Sequence, residues 1–121
     1  MQIRVLEQDF SVCRVTDIAD IDFSDEFCFV GKTDAELSLV CASSRVPANA
    51  VQCVHGWRAF RLQGILDFAL VGVLAKISGL LADARISVFA VSTYNTDYFL
   101  VKAAALACAL DALRDGGYTV L

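Results

Sequence analysis

The feature that most constrains this chain is a change of hydrophobic period near residue 67. Before it, Val54–Leu62 reads as a strand ending at Gln63-Gly64. From Asp67 onward, Leu70, Val73, Leu74, Ile77, Leu81 and Ala84 step by 3, 1, 3, 4 and 3 residues, which puts them on one face of a helix. Gly72 and Gly79 fall inside that helix at a cost of about 1 kcal/mol each relative to alanine, which suggests close packing against a sheet or a ligand. Ile86–Val91, rich in β-branched and aromatic residues, returns to strand character. Thr93–Asp97 turns the chain and Tyr98–Val101 runs back. A second helix is expected from about Ala103 to Asp115, with Leu106, Ala109, Leu110 and Leu113 on one face. Gly116-Gly117 ends it, and Tyr118–Leu121 is a last strand.

The order strand, helix, strand, strand, helix, strand is the split βαβ, or ferredoxin-like, arrangement. It predicts an α+β fold, with an antiparallel sheet carrying both helices on one face and leaving the other face to meet water or a partner. The first half is less regular. Gln2–Leu6 and Phe10–Val15 alternate and read as strands separated by a polar turn at Glu7-Gln8-Asp9. Asp17, Asp20, Asp22 and Asp25 lack the turn glycine and final glutamate of a calcium loop, so a solvated turn or short helix fits better. Glu26–Gly31 is a third strand. Thr33 to Glu36 has the spacing of a capping box and feeds the alternating run Leu37–Cys41, so one helical turn entering a strand is expected there. Pro47 marks a loop within residues 42–49.

A length of 121 residues suits one domain, or two very small ones sharing a core. The chain is 57% hydrophobic and 20% charged, with mean hydropathy +0.59, which excludes disorder. The longest uncharged runs, Val46–Trp57 and Ile86–Thr96, are well short of the roughly 20 apolar residues of a spanning helix. A net charge of −4 argues against general affinity for nucleic acid. Residues 1–53 hold nine acids against four bases and residues 54–121 five against six, a hint of internal organisation. The five cysteines form no Cys-x-x-Cys pair and His55 is the only histidine, so no metal site is expected. An odd cysteine count without an export signal points to the cytoplasm, with cysteine acting as a small buried hydrophobe. His55 has no sequence partner that would make it a base, and a structural role is expected for it. Gly-x-Ser-x-Gly, Gly-x-Gly-x-x-Gly and P-loop patterns are absent, so neither a hydrolase nor a nucleotide enzyme is expected.

The runs Gly56–Gly64, Leu66-Asp67-Phe68, Gly72–Ala75 and Ile86–Tyr98 resemble the ACT domain of the CASTOR type. That is the family of an arginine sensor and of small bacterial relatives, with aspartate kinase regulatory domains as more distant cousins. Phe10–Arg14 and Glu36–Cys41 are similar too, so the resemblance covers essentially the whole chain. It implies a tandem, with residues 1–53 a degenerate ACT-like unit and residues 54–121 a complete ACT domain.

The resemblance implies ligand binding and no catalysis: a regulatory protein holding a small amino-acid-like molecule and reporting it to an unidentified protein partner. Asp67, Phe68, Gly72, Thr93, Tyr94 and Asp97 are the implied ligand-binding residues, with no cofactor. A helix N-terminus near Asp67–Leu70 would suit a carboxylate. Gly72 would let a ligand approach the backbone. Asp97 would take an ammonium or guanidinium group, and Thr93 and Tyr94 would line the rest. The chain departs from the family pattern at Ile65, where proline is usual, and at Ala69 and Val71, which lie near positions that carry hydroxyls. Two polar contacts at the helix start are therefore missing, which points to weaker binding, a more apolar ligand, or none. The alternative is an assembly module whose ligand site has decayed. In both readings the apolar excess predicts a homodimer.

Overall fold

The computed structural model describes residues 1–67 and 69–121; Phe68 lies outside the described residues. The elements are β1 (Gln2–Arg14), β2 (Cys28–Lys32), β3 (Leu37–Ala42), β4 (Gln52–Leu62), α1 (Val73–Asp83), β5 (Phe89–Ser92), β6 (Asp97–Lys102), α2 (Leu106–Asp115) and β7 (Thr119–Val120). The chain divides into two compact units, Met1–Glu7 with Arg58–Leu121, and Gln8–Trp57. This division differs from a cut between residues 53 and 54, because β1 and β4 each contribute residues to both units.

In the first unit β7 pairs parallel with the start of β1, Gln2 against Thr119 and Ile3 against Val120, and β6 lies between β4 and β5. The strand and helix order from β4 to β7 is the one the sequence predicts. Ile77 and Leu81 of α1 and Ala109 and Leu113 of α2 pack on Ile3, Phe60, Leu62, Phe99 and Val101. Phe60 and Phe99 stack with ring centroids 5.4 Å apart. Ala59 and Leu100 alternate with this face and are buried as well, so the face without helices is not left open at its centre.

Helix α1 begins six residues later than its periodicity suggests. Asp67 instead forms a local turn: its Oδ1 accepts from Ala69 N–H at 2.8 Å and its carbonyl from Leu70 N–H at 3.0 Å. Gly72 then takes φ +79°, a left-handed conformation that breaks the helical path before Val73. Consequently Leu70 and Leu74 are exposed, and Ile77 and Leu81 carry the burial. A Cβ added at Gly72 or Gly79 would meet nothing within 4 Å, so neither glycine serves close packing inside the protein. At the other end of the unit, Gly117 (φ +97°) closes α2 as its spacing predicts.

In the second unit β3 pairs antiparallel with both the latter half of β1 and β2. The expected break at Glu7-Gln8-Asp9 is absent: the strand is continuous from Gln2 to Arg14. Glu7 and Asp9 sit at alternate exposed positions, which a strand accommodates, and no glycine or proline interrupts the chain there. Residues 33–36 form a tight β2–β3 turn rather than a helical one. Thr33 N–H donates to the Glu36 carbonyl at 2.9 Å, and Thr33 Oγ1 accepts from Ala35 and Glu36 N–H. The threonine caps as its spacing implies, but antiparallel pairing of Lys32 with Leu37 leaves room only for a turn. Val15, Ile21, Leu39 and Cys41 form the core of this unit.

The acidic segment is tied to its own unit. Asp17 caps a short 3-10 turn at Ile18–Asp20, Asp20 accepts from Asn49, and Asp22 pairs with Arg45 at 2.7 Å. His55, without a partner in sequence, has Nδ1 2.7 Å from the fully buried Ser11 hydroxyl, which also meets Ser43 Oγ at 2.7 Å. The imidazole thus satisfies a buried polar strand residue. All five cysteines are free thiols; burial and a hydrogen bond with Cys53 push Cys13 up to about 12, and burial pushes Cys41 up to about 11.

Two expectations follow. Truncating Phe60→Ala removes a buried ring stacked at the centre of the first unit and should destabilise the protein by about 3–5 kcal/mol in urea denaturation. The Ser24 and Arg45 hydrogen bonds hold the Asp22 carboxyl at about 2, below its ordinary 3.8. A depressed folded-state value contributes stability that is present above pH ~4 and is lost as pH falls toward ~2. Melting temperatures recorded down this range should fall less steeply in Asp22→Asn than in the native chain.

Candidate functional site

Two segments of the first unit meet beyond the end of β4. Leu66 N–H donates to the Asn95 carbonyl at 2.7 Å, joining the β4–α1 loop to the β5–β6 turn. Thr96, nearly buried, donates its hydroxyl to the Leu62 carbonyl at 2.9 Å. The turn itself is closed by Thr93, whose N–H and hydroxyl both donate to the Thr96 carbonyl at 2.9 and 3.0 Å. Between these segments lies a cleft of about 240 Å³ lined by Leu66, Asp67, Leu70, Val73 and residues 92–97. Leu66 and Val73 pack against the core, so the apolar wall of the cleft is anchored in it.

Four of the sequence-derived candidates, Asp67, Thr93, Tyr94 and Asp97, line this one cleft. They come from positions up to 30 residues apart in the chain. Asp97 opens β6, paired with Ser92 across the hairpin, and is half-buried. Asp67 and Tyr94 are exposed at the rim, Tyr94 at 79%. The Thr93 hydroxyl is engaged by its own turn, so it shapes the loop first. Gly72 is brought elsewhere: it lines a second cleft of about 210 Å³ with Met1, Val71, Val73, Lys76, Gly117 and Tyr118. The expected helix start at Asp67–Leu70 is replaced by the Asp67 turn, so the helical N–H groups open at Val73 instead.

Leu66, Ser92, Asn95 and Thr96 also line the cleft, although the resemblance, whose runs contain them, implies no ligand contact for them. The Ser92–Asp97 run of polar residues between two apolar strands was a usable signal for the last three. The part of Leu66 depends on a hydrogen bond to a turn 29 residues away, which no local pattern records. Beside the cleft, Arg61 donates to the Tyr98 hydroxyl at 3.3 Å, with its guanidinium 5.9 Å from that ring's centroid. With two carboxylates and neutral polar groups above an apolar wall, the cleft is suited to a small cationic, partly apolar molecule. Among the described residues no group of three or more metal-ligating side chains is placed to hold an ion.

Comparison with known proteins bears on this geometry. The cytosolic arginine sensor for mTORC1 subunit 1 of Rattus norvegicus is 37% identical over 59 residues, 48% of this chain and 18% of that protein. The chain therefore matches less than a fifth of that relative's length. Among solved structures, a protein from Agrobacterium tumefaciens superposes with TM-score 0.88 at 28% identity, covering 99% of this chain and 91% of that one. The ligand-free regulatory subunit of aspartate kinase from Thermus thermophilus superposes with TM-score 0.65 at 10% identity, over 97% of this chain and 98% of that one, a likeness of fold. Residues 52–115, more than half of the chain and including every residue of the cleft, match the ACT domain, and the protein belongs to the ACT domain family.

Proposed function

We propose that this protein is a non-catalytic regulatory ACT module that binds a small amino-acid-like ligand in the cleft between the β4–α1 loop and the β5–β6 turn. The observation that carries this reading is the convergence of Asp67, Thr93, Tyr94 and Asp97 on one cleft of about 240 Å³. The arginine sensor similar to residues of this chain lends support, since its name describes recognition of an amino acid. Asp97, half-buried at the base of the turn, takes the ligand's ammonium or guanidinium group through a charge-assisted hydrogen bond of about 1.5–3 kcal/mol. The volume corresponds to about eight waters at ~30 Å³ each, the size of an amino acid. Such a ligand binds with roughly micromolar to millimolar affinity, suited to following a metabolite pool.

The same reading takes residues 1–53 as a degenerate ACT-like unit and residues 54–121 as the complete, ferredoxin-like one. It places the protein in the cytoplasm, as the name of the rat relative describes that sensor as cytosolic. Among the described residues, no helix is long and apolar enough to cross a membrane. A downstream protein partner receives the signal, and two copies associate.

A second reading, an assembly module with a decayed site, is favoured by a different observation. Leu70 and Tyr94, which line the cleft, are 49% and 79% exposed, and Ile65, Val71 and Leu74 are exposed as well. Exposed apolar groups in such number suit contact with a second copy.

Thermal shift across the twenty amino acids separates the readings. A ligand at ten times its Kd adds about 1.4 kcal/mol and raises the melting temperature by about 5 °C. Asp97→Ala should remove that shift without lowering the unliganded melting temperature by more than a few degrees. A flat response to all twenty, with a dimer unchanged in sedimentation velocity, would favour the assembly module. Thr96→Val should cost about 1–3 kcal/mol in urea denaturation, because the Leu62 carbonyl loses its donor, and should weaken any ligand response with it.

A further inference from the structure

Four of the five cysteines belong to the second unit, one on each of β1 to β4, and two of them face each other across a hairpin. Cys28, on the edge strand β2, stands directly opposite Cys41 of β3. Two backbone hydrogen bonds fix the kind of pairing they have. At the hairpin tip Thr33 N–H donates to the Glu36 carbonyl, which makes those two residues a hydrogen-bonded pair. Bonded and unbonded pairs alternate from there along the ladder: Lys32–Leu37 is unbonded, Gly31–Ser38 bonded, Val30–Leu39 unbonded, Phe29–Val40 bonded and Cys28–Cys41 unbonded. The other side of β3 gives the same phase. Val15 N–H donates to the Leu37 carbonyl, so the backbone groups of Leu37, and by alternation those of Leu39 and Cys41, turn toward β1 and away from β2. Unbonded antiparallel pairs are the closely spaced ones, with Cα atoms about 4.5 Å apart, inside the roughly 4.4–6.8 Å that a disulfide spans. The two side chains share a face, since Cys28 packs against the buried cluster that contains Cys41. Cys41 is 2% exposed and Cys28 is half-buried, so a small reagent meets Cys28 first with Cys41 behind it.

We infer that Cys28 and Cys41 form a redox site, a thiol pair that closes into a reversible cross-strand disulfide by exchange with a low-molecular-weight disulfide such as oxidised glutathione. The site belongs to the second unit and does not depend on the ligand cleft. In the first step Cys28 gives up its proton and its sulfur attacks oxidised glutathione, displacing one glutathione thiolate, which takes a proton. In the second, Cys41 gives up its proton and its sulfur attacks the Cys28 sulfur of the mixed disulfide, releasing the second glutathione. The protein loses two electrons and two protons, and the glutathione disulfide gains them. Burial, with the carboxylates of Asp22 and Asp25, holds the Cys28 thiol above its ordinary value, and burial holds Cys41 up at about 11. Little thiolate is therefore present at pH 7, and the pair equilibrates slowly with its surroundings. Closure ties the edge strand to its neighbour and restricts the unfolded chain between residues 28 and 41, which stabilises the closed form. Cys13 has Cys53 as a thiol neighbour of its own, so the connectivity of the disulfide is the decisive observation.

The test holds the full, folded chain in mixtures of reduced and oxidised glutathione until the thiol content stops changing. Acid quenching, alkylation of the remaining thiols and peptide mapping then locate every disulfide. A Cys28–Cys41 bond is expected in the oxidised buffers, and it should open again when reduced glutathione is restored. The closed form should melt about 5–10 °C above the reduced one. Cys28→Ser, at a half-buried position, should abolish both the bond and the rise in melting temperature, and Cys41→Ala should do the same. Cys53→Ser and Cys108→Ser should change neither. Mapping in the native chain needs no variant to fold. Cys28 and Cys41 remaining thiols in fully oxidised glutathione would overturn the inference, as would a glutathione adduct on Cys28 that never closes. A disulfide of any other connectivity, such as Cys13–Cys53, also overturns it. So does a Cys28–Cys41 bond that lowers the melting temperature, since closure would then need the strands to move apart from their native spacing.

Discussion

The hydroxyl of Thr96 donates to the Leu62 carbonyl where neither group is open to water, and the geometry of the cleft depends on that bond. Leu62 is the last residue of β4, so its carbonyl lies beyond the strand ladder and needs a donor once buried. Thr96 supplies it from the β5–β6 turn, and the neighbouring Leu66 N–H to Asn95 carbonyl bond adds a second tie. Together they hold a turn and a loop at a fixed separation over the Phe60–Phe99 core. The cleft is the space that this separation leaves.

Its contents follow from local chain chemistry. Gly72, in the left-handed region, delays the helix and leaves Asp67 to form a local turn with Ala69 and Leu70. That delay keeps Leu70 and Val71 exposed and puts the Asp67 carboxylate at the rim instead of at a helix terminus. Asp97 is carried in from the other side by the register of β5 with β6, which pairs it with Ser92. A cleft with two carboxylates results, and Val73, the first residue of α1, shares its lining.

Much of the first unit was legible in the sequence. The 3.6-residue period after Asp67, the β-branched run before Ser92 and the Gly116-Gly117 stop are each local, and the observed elements follow them to within a few residues except at the start of α1. The exception has a plain cause: hydrophobic spacing records which face of a helix would be buried, whereas Gly72 decides where the helical path can begin. The same limit explains Glu7-Gln8-Asp9, whose charges suggested a turn and instead decorate the exposed side of one long strand. Thr33–Glu36 shows it again, since the capping chemistry was readable but the element being capped was fixed by pairing of β2 with β3. For the cleft, the polar run Ser92–Asp97 stood out, while Leu66 and the separation of Gly72 from it did not.

By itself, the sequence determined the order of strands and helices, the α+β class, the kinship with ACT domains and the residues that carry polar chemistry. These are consequences of period, turn residues and side-chain type, all of which act over a few positions along the chain. Only the tertiary structure decided which of those residues share a cleft. It brought Asp67 and Asp97 together, sent Gly72 to another cleft and gave His55 a buried serine to satisfy. Those outcomes turn on hydrogen bonds between segments about 30 or more residues apart, whose partners exist only once the strands are in register.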